Sequence, residues 1–470
     1  MKTRFSTLST VGLVGLGVMG QNLAKNIASK GYEVVVYNRS REKTDSLVSS
    51  VREIRPSYSL GQLAAMLEKP RRVILMVEAG RAVDAVLDEL TPHLDSGDFV
   101  YDCGNSHYVD TERRQASLSR VGVVLLGVGI SGGEEGALKG PSVMVGGELK
   151  GFESTEALWR AVAARADGDP CAGYMGRKGA GHFVKMVHNG IEYAVLQLIA
   201  ETYDILKTGL GKSSDEISAV FANWRNTELS SYLVEISAEV LSFRDPETNK
   251  PLVELVLDKA EQKGTGRWCV QAAAELGVPT PSIDAALSAR NISALKPLRT
   301  SLSKAYGPGP AVRKAGINMV EVLRDAFWCT SLISFVQGLS LIQAASQAYD
   351  YGINIDEVLR VWRAGCIIRA SMLRDLRTAL AEVGDAQQLL RAGFLASQLS
   401  EKEKSWKNVI TYAKEAGIPT PVLDASYNFF LSIKRERLPA NLIQALRDRF
   451  GSHGYERVDK TGKHHSSWKP

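Results

Sequence analysis

Lys185, His188, Asn189 and Glu192 recur at i, i+3, i+4 and i+7, the spacing that stacks side chains on one face of an α-helix. Phe183, Val184, Met186, Val187, Ile191, Val195, Leu196, Leu198 and Ile199 cover most of the rest of that stretch. A helix apolar on most sides is normally buried. Burying a lysine and a glutamate costs on the order of several kcal/mol unless the two are paired or have a task. At 1.5 Å per residue they stand about 10 Å apart, a base and an acid able to act on opposite ends of a small bound molecule. The plainer reading is a structural Lys–Glu pair on a half-exposed helix. The rest of the chain decides between the two.

Bulk properties narrow the class. A chain of 470 residues splits into two or three domains. Its 44% hydrophobic and 23% charged content is ordinary for a globular protein. The net charge of +5 comes without a Lys/Arg run or a basic–aromatic repeat, so no nucleic-acid partner is expected and the charge reads as a bias toward anionic ligands. No apolar run approaches the ~20 residues of a membrane span, and no membrane partner is expected. Five scattered cysteines (Cys103, Cys171, Cys269, Cys329, Cys366) without a CxxC argue for reduced thiols, a cytoplasmic setting and no zinc. No aspartate cluster suits Mg²⁺ or Mn²⁺, so metal independence is expected. Residues 1–10 are basic and hydroxyl-rich but lack an apolar core, which reads as a frayed terminus and not a targeting peptide.

Two regimes divide the chain. Residues 1–178 alternate β-rich runs (Val11–Val14, Glu33–Tyr37, Val73–Val77, Phe99–Cys103, Val123–Leu126 and Val143–Val145) with helical stretches, the pattern of βαβ units on a mainly parallel sheet. Residues 179–440 read as long amphipathic helices. Lys296 to Gly316, with Pro297 and Gly307-Pro-Gly-Pro310, reads as a loop excursion. The helical half also repeats itself: Gly277-Val-Pro-Thr-Pro recurs 140 residues on as Gly417-Ile-Pro-Thr-Pro, and Trp224-Arg225 recurs 138 on as Trp362-Arg363. Such an offset suggests a two-copy domain and not a solenoid. The counterpart of Lys185 at that offset is Asp325, and the segment around it has no Lys/Glu stripe.

The first strand runs into Gly15-Leu16-Gly17-Val18-Met19-Gly20, a GxGxxG opening a helix. Its glycines serve a tight turn, close approach to pyrophosphate, and helix–strand packing. Phosphates then meet the helix N-terminus. The second strand ends in Asn38-Arg39-Ser40 where an NAD enzyme would carry Asp or Glu, so NADP is favoured over NAD. Residues 127 to 147 hold eight glycines, which suggests backbone N–H groups and Ser131 brought up to an anion. Asn105 ends the neighbouring strand at the same crevice.

Together these segments resemble the decarboxylating 6-phosphogluconate dehydrogenases, NADP enzymes of the pentose phosphate pathway and of gluconate utilisation, from Val11 to Trp468. The resemblance rests on Gly15–Gly20, Asn38-Arg-Ser, Gly104-Asn-Ser, Ile130-Ser-Gly-Gly-Glu-Glu-Gly136 and Lys185-Met-Val-His-Asn-Gly-Ile-Glu-Tyr193. It continues through Gln262-Lys-Gly-Thr-Gly266, Leu438-Pro-Ala-Asn-Leu-Ile-Gln444 and Arg447 to Arg457. It implies an α/β Rossmann-type N-terminal domain plus a large all-α C-terminal domain with an internal duplication, and a tail, 441–470, reaching a partner subunit. NADP would lie on Gly15, Leu16, Gly17, Val18, Met19, Gly20, Asn38, Arg39, Ser40, Val77 and Asn105.

The phosphorylated sugar acid would meet Asn105, Ser131, Gly132, Gly133, His188, Asn189, Tyr193, Lys263, Thr265 and Arg290. Arg447 and His453 would come from the other subunit of a homodimer or dimer of dimers. Lys185 would be the base toward the C3 hydroxyl and later the acid toward its carbonyl; Glu192 would protonate C1. Glu78 stands where relatives often have lysine, Ala194 where glycine is frequent and Lys463 where an aromatic is common. Two rivals share part of this pattern. A 3-hydroxyisobutyrate-type dehydrogenase needs no second helical copy, and a non-catalytic NADP-binding sensor needs no Lys–Glu pair.

Overall fold

The structure is a computed structural model and describes residues 10–307, 309 and 311–468. The frayed-terminus expectation falls on residues 1–9, outside the described residues.

Apolar runs bounded by turns form one eight-stranded sheet. Its strands are β1 (Thr10–Val14), β2 (Glu33–Tyr37), β3 (Ile54–Pro56), β4 (Arg72–Leu75), β5 (Phe99–Asp102), β6 (Val124–Ser131), β7 (Ser142–Gly146) and β10 (Ala172–Gly176). A small hairpin, β8 (Arg165–Ala166) and β9 (Asp169–Pro170), precedes β10. The order is β10-β7-β6-β5-β4-β1-β2-β3, parallel except where β7 runs against β6. Helices α1 (Val18–Ser29), α2 (Arg41–Ser50), α3 (Leu60–Ala65), α4 (Arg81–Leu90), α5 (Tyr108–Ser119), α6 (Gly133–Lys139) and α7 (Leu149–Val162) connect the strands. Separate apolar cores, one around Leu13, Leu23 and Trp159 and one around Leu63, Val73 and Leu87, mark a sheet covered on both faces.

From α8 (Ala180–Asp204) the chain is helical: α9 (Ser214–Trp224), α10 (Tyr232–Ser242), α11 (Thr265–Glu275), α12 (Pro281–Ser293), α13 (Lys296–Tyr306), α14 (Met319–Ala348), α15 (Ile355–Val361), α16 (Met372–Val383), α17 (Gly393–Glu415), α18 (Pro421–Ile433) and α19 (Ala440–Gly451). The loop expected over 296–316 is corrected. Its first half is α13, because Pro297 sits in the first helical turn, where a missing N–H costs nothing, and Gly307 ends it at φ +90°. The expectation that no segment has the length and apolarity of a membrane span is corrected too. α14 has both, but 89% of its apolar window is buried inside the bundle.

The sequence repeat is structural. α12 and α18 both start at the Pro of the repeat, each behind a Thr whose hydroxyl bonds the Asp four residues on, at 3.0 Å. The copies cap one another. Glu201 on α8 accepts the Val422 and Leu423 amides of α18 at 2.8 and 3.0 Å, and Gln337 on α14 accepts the Ser282 amide of α12 at 3.1 Å. Such amides have no partner within their own helix.

Burial pushes the Glu201 carboxyl up to about 7, although both amides pull it down. The folded state therefore holds this proton more tightly than the unfolded chain. That contribution to stability is full below the ordinary carboxyl value near 4.5 and is lost as pH rises to 7. Glu201→Ala strands two buried amides and is expected to cost about 2–4 kcal/mol. The same variant should lose the decline in denaturation midpoint, between about pH 5 and 7.5, that this group imposes on the parent.

Candidate active site

α8 lies directly on the sheet. A Cβ on Gly181 would sit 2.3 Å from the Gly127 carbonyl, one on Gly146 would sit 2.1 Å from the Gly181 amide, and one on Gly129 would sit 2.5 Å from Cβ of Lys185. This corrects the reading of the glycine-dense stretch as an anion cradle throughout. Gly146 lets strand and helix backbones touch, while Gly127 and Gly129 make room for the His182 and Lys185 side chains of that helix. That contact buries Lys185 and carries it to the carboxyl end of β6.

Polar groups at this junction form one chain. The Ile367 amide donates to Ser131 Oγ at 3.4 Å, and Ser131 Oγ lies 3.0 Å from His188 Nε2. Asn189 Oδ1 receives Lys185 Nζ at 2.7 Å and His188 Nδ1 at 3.1 Å, while Asn189 Nδ2 donates to Thr265 Oγ1 at 3.1 Å. These partners fix the histidine: Nδ1 carries the proton and Nε2 accepts from the serine. Burial, with Lys185 nearby, holds His188 well below its ordinary pKa and keeps it neutral. Glu192 Oε2 stands 3.8 Å from His188 Nδ1.

Burial lowers the Lys185 ammonium, against the attraction of Glu192. It also raises Glu192, against the pull of Lys185 and Arg290. Each group is thus driven toward its neutral form, a lysine able to take a proton and a carboxylic acid able to give one. Tyr193 is buried on the same helix with Arg290 stacked 3.5 Å over its ring. A Cβ on Gly266 would meet that ring at 2.4 Å, so α11 approaches Tyr193 only because that residue is glycine.

A second cluster sits at the ends of β1, β2 and β5. Gly15 turns at φ +100°, and Gly20 packs where any Cβ would sit 2.0 Å from the Gly15 carbonyl. A Cβ on Gly17 would meet nothing within 4 Å. No side chain caps α1, so its first amides are left for an anion. Asn38 Oδ1 accepts the Leu16 amide at 2.9 Å and Asn38 Nδ2 reaches the Ser40 carbonyl at 3.1 Å, locking the two turns together. Val18, Arg39 and Ser40 are exposed beside them and Met19 half-buried. Asp102 holds the turn bearing Asn105 by accepting from Gly104 N and Ser106 Oγ at 3.1 and 2.7 Å. That turn lies against Val77, whose carbonyl would meet a Cβ on Gly104 at 3.0 Å. Open glycine surface, uncapped amides and an exposed cation at the β2 end fit a dinucleotide carrying a 2′-phosphate.

Comparison with known proteins supplies the rest. Residues 10–207 match the model for the NAD binding domain of 6-phosphogluconate dehydrogenase, and residues 181–468 the model for its C-terminal domain. The chain belongs to the 6-phosphogluconate dehydrogenase family. It is 46% identical to the decarboxylating 6-phosphogluconate dehydrogenase of Synechococcus elongatus, over 98% of this chain and 99% of that one. It is 44% identical to the NADP(+)-dependent, decarboxylating enzyme of Bacillus subtilis, over 97% and 98%. The 6-phosphogluconate dehydrogenase of Plasmodium falciparum, solved apo, with NADP+ and with 6-phosphogluconate, superposes with a TM-score of 0.94 at 38% identity, covering 98% of this chain and all of that one. The match across 181–468 sets aside the rival with a smaller helical half.

Within the family frame, the structure brings Ser131, Lys185, His188, Asn189, Glu192, Tyr193, Thr265 and Arg290 into one group. Gly132 and Gly133 open α6 beside Ser131. Lys263 lies exposed just before α11, and Asn105 is exposed on its own turn. Arg447 and His453 are exposed on and after α19 and make no hydrogen bond to α8 among the described residues. The second copy also contributes to the site, which local sequence pattern does not show. Trp362 packs edge-on to His188 at 5.8 Å, and the loop after it supplies the Ile367 amide. The repeated Trp-Arg pair was the available signal, but it does not reveal which copy faces the site. Asp325, the counterpart of Lys185, is a structural partner of Lys402 at 2.9 Å.

Arg39→Asp is expected to cut kcat/KM for NADP by about ten- to a hundredfold, the value of a charge-assisted contact. NAD should gain in the same comparison, checked by kcat/KM with each cofactor.

Proposed function

We propose that this chain oxidatively decarboxylates 6-phosphogluconate to ribulose 5-phosphate and CO2 while reducing NADP to NADPH. The observation that carries the reading is the pair of groups on α8, a buried lysine pushed toward its neutral amine and a half-buried glutamate pushed toward its neutral acid. NADP, held along Gly15–Gly20 and Asn38–Ser40 with Val77 and Asn105, supplies the hydride acceptor. Lys185 Nζ takes the proton of the C3 hydroxyl as C3 is oxidised. The resulting 3-keto acid loses CO2 as protonated Lys185 returns its proton to the carbonyl oxygen, giving the enol. Glu192 then protonates C1 while Lys185 takes back the enol proton, and one proton passed from Lys185 to Glu192 resets the pair.

His188, Asn189 and Ser131 orient the sugar acid, with Gly132, Gly133 and Asn105 beside it. Tyr193, Lys263, Thr265 and Arg290 receive its phosphate end, where the guanidinium offers paired donors. Three functional units fit this use: 1–178 for NADP, 179–440 for the site and assembly, and 441–470 as a tail given to a partner copy. Leu442, Ile443, Leu446 and Phe450 on α19 are 53–74% exposed, as expected of a surface that a second copy covers. Arg447 lies among them and, with His453, would complete the neighbour's site. Five buried free thiols fit a cytoplasmic setting.

Absorbance at 340 nm with NADP and 6-phosphogluconate tests the reading. NADPH formation with CO2 release is expected, with 3-hydroxyisobutyrate inert. Binding of NADP without turnover of 6-phosphogluconate would reject it.

A further inference from the structure

We propose that Asp448 is the positioning residue of the carboxyl-terminal segment, holding Arg447 and His453 in the attitude in which a second copy of the chain receives them. The inference rests on the reading that this segment completes a neighbouring site.

Asp448 is the one buried residue of α19, and the chain beyond that helix folds back to enclose its side chain fully. Oδ1 accepts the Gly454 amide and His465 Nδ1, both at 2.8 Å. Oδ2 accepts the Ser466 amide at 3.1 Å and Trp468 Nε1 at 2.7 Å. Four donors that flank a hairpin of β11 (Tyr455–Glu456) and β12 (Lys463–His464), one before it and three after, therefore converge on one carboxylate. Burial alone would raise its pKa; the hydrogen bonds, that of His465 first, outweigh burial and keep it ionised.

The two candidate substrate groups hang on this knot. Arg447 is the preceding residue, and its Nη1 reaches Gln444 Oε1 at 3.1 Å. Gln444 Nε2 in turn holds the Gly454 carbonyl at 2.6 Å. Between Asp448 and Gly454 the chain reverses at Ser452, φ +52°, and the His453 ring stands edge-on to Phe450 at 6.0 Å. No residue of the segment joins any of the hydrophobic cores among the described residues. A segment without a core of its own keeps a single shape only through such a polar staple, and charge-assisted bonds are the strong kind. Without it the segment would have to be ordered at the moment of binding, and that cost would fall on substrate affinity.

Asp448→Ala removes all four acceptances. Asp448→Asn keeps the shape but turns an NH2 toward two donors. In both, KM for 6-phosphogluconate is expected to rise about ten- to a hundredfold, the range for losing a hydrogen bond to a charged group. KM for NADP and elution as a dimer should not change. The decisive arm mixes Asp448→Ala chains with Lys185→Ala chains under conditions of subunit exchange. Each hybrid pairs an intact Lys185 with an intact partner tail, so activity with the parental KM should return.

A parental KM in Asp448→Ala alone would overturn the inference, as would monomeric elution of both Asp448 variants. An Arg447→Ala/Lys185→Ala mixture is the control. If it recovers and the Asp448→Ala mixture does not, Asp448 acts within its own chain and the inference fails alone. If neither recovers, the shared-tail reading falls and this inference falls with it.

Discussion

Lys185→Ala should lower kcat by about 10²–10⁴, the usual range for a positioned general base, and should slow the first turnover that forms NADPH as much as the steady state. The step lost is proton removal from the hydroxyl, on which oxidation of C3 depends. Folding should survive. Asn189 Oδ1 keeps His188 Nδ1 as a donor when Nζ is gone, and the variant no longer desolvates an amine. Its melting temperature should therefore equal or exceed that of the parent, as is common when a costly functional group is removed. KM for NADP should stay within a few fold, because Lys185 lies on α8 and not among the turns around Gly15. Turnover within about tenfold of the parent, with the fold intact, would remove Lys185 from the role of base.

Glu192→Gln separates the second half of the reaction from the first. The amide cannot give a proton to carbon, so turnover should drop by about 10²-fold. Lys185 remains, and a burst approaching one NADPH per site should persist. The pH profile carries the sign of both shifts. Burial lowers Lys185, so activity rises as pH climbs through its depressed value and frees the amine. Burial raises Glu192, so activity falls as pH climbs through its elevated value and removes the acid proton. The parent should show a bell whose limbs belong to the coupled pair, and Glu192→Gln should keep a single limb. A two-limbed profile with undiminished turnover would exclude Glu192 as the proton donor.

Much of this site was legible in the chain because it rests on local periodicity. The i, i+3, i+4, i+7 stripe fixed which side chains share a face of α8, and the GxGxxG stood between a strand and a helix as its spacing requires. The features that stayed hidden depended on contacts between distant segments. Glycine density from 127 to 147 was visible, but periodicity does not distinguish a glycine that admits a ligand from one that admits a helix. Gly129 is of the second kind, facing Lys185. The Ile367 amide on Ser131 joins residues 236 apart, beyond any window of pattern. Likewise Pro297 reads as a breaker because composition alone does not tell the first turn of a helix from its interior.

The exchange of caps between α8 and α18, and between α14 and α12, has a bearing on ancestry and on engineering. Either half alone would present naked amides and a polar side chain with nothing to hold, so it would need a second molecule to close them. The two halves thus relate to each other as the subunits of a symmetric dimer do, now tethered in one polypeptide. Cutting between them and expressing the pieces separately should give material that is soluble only when the pieces are produced together.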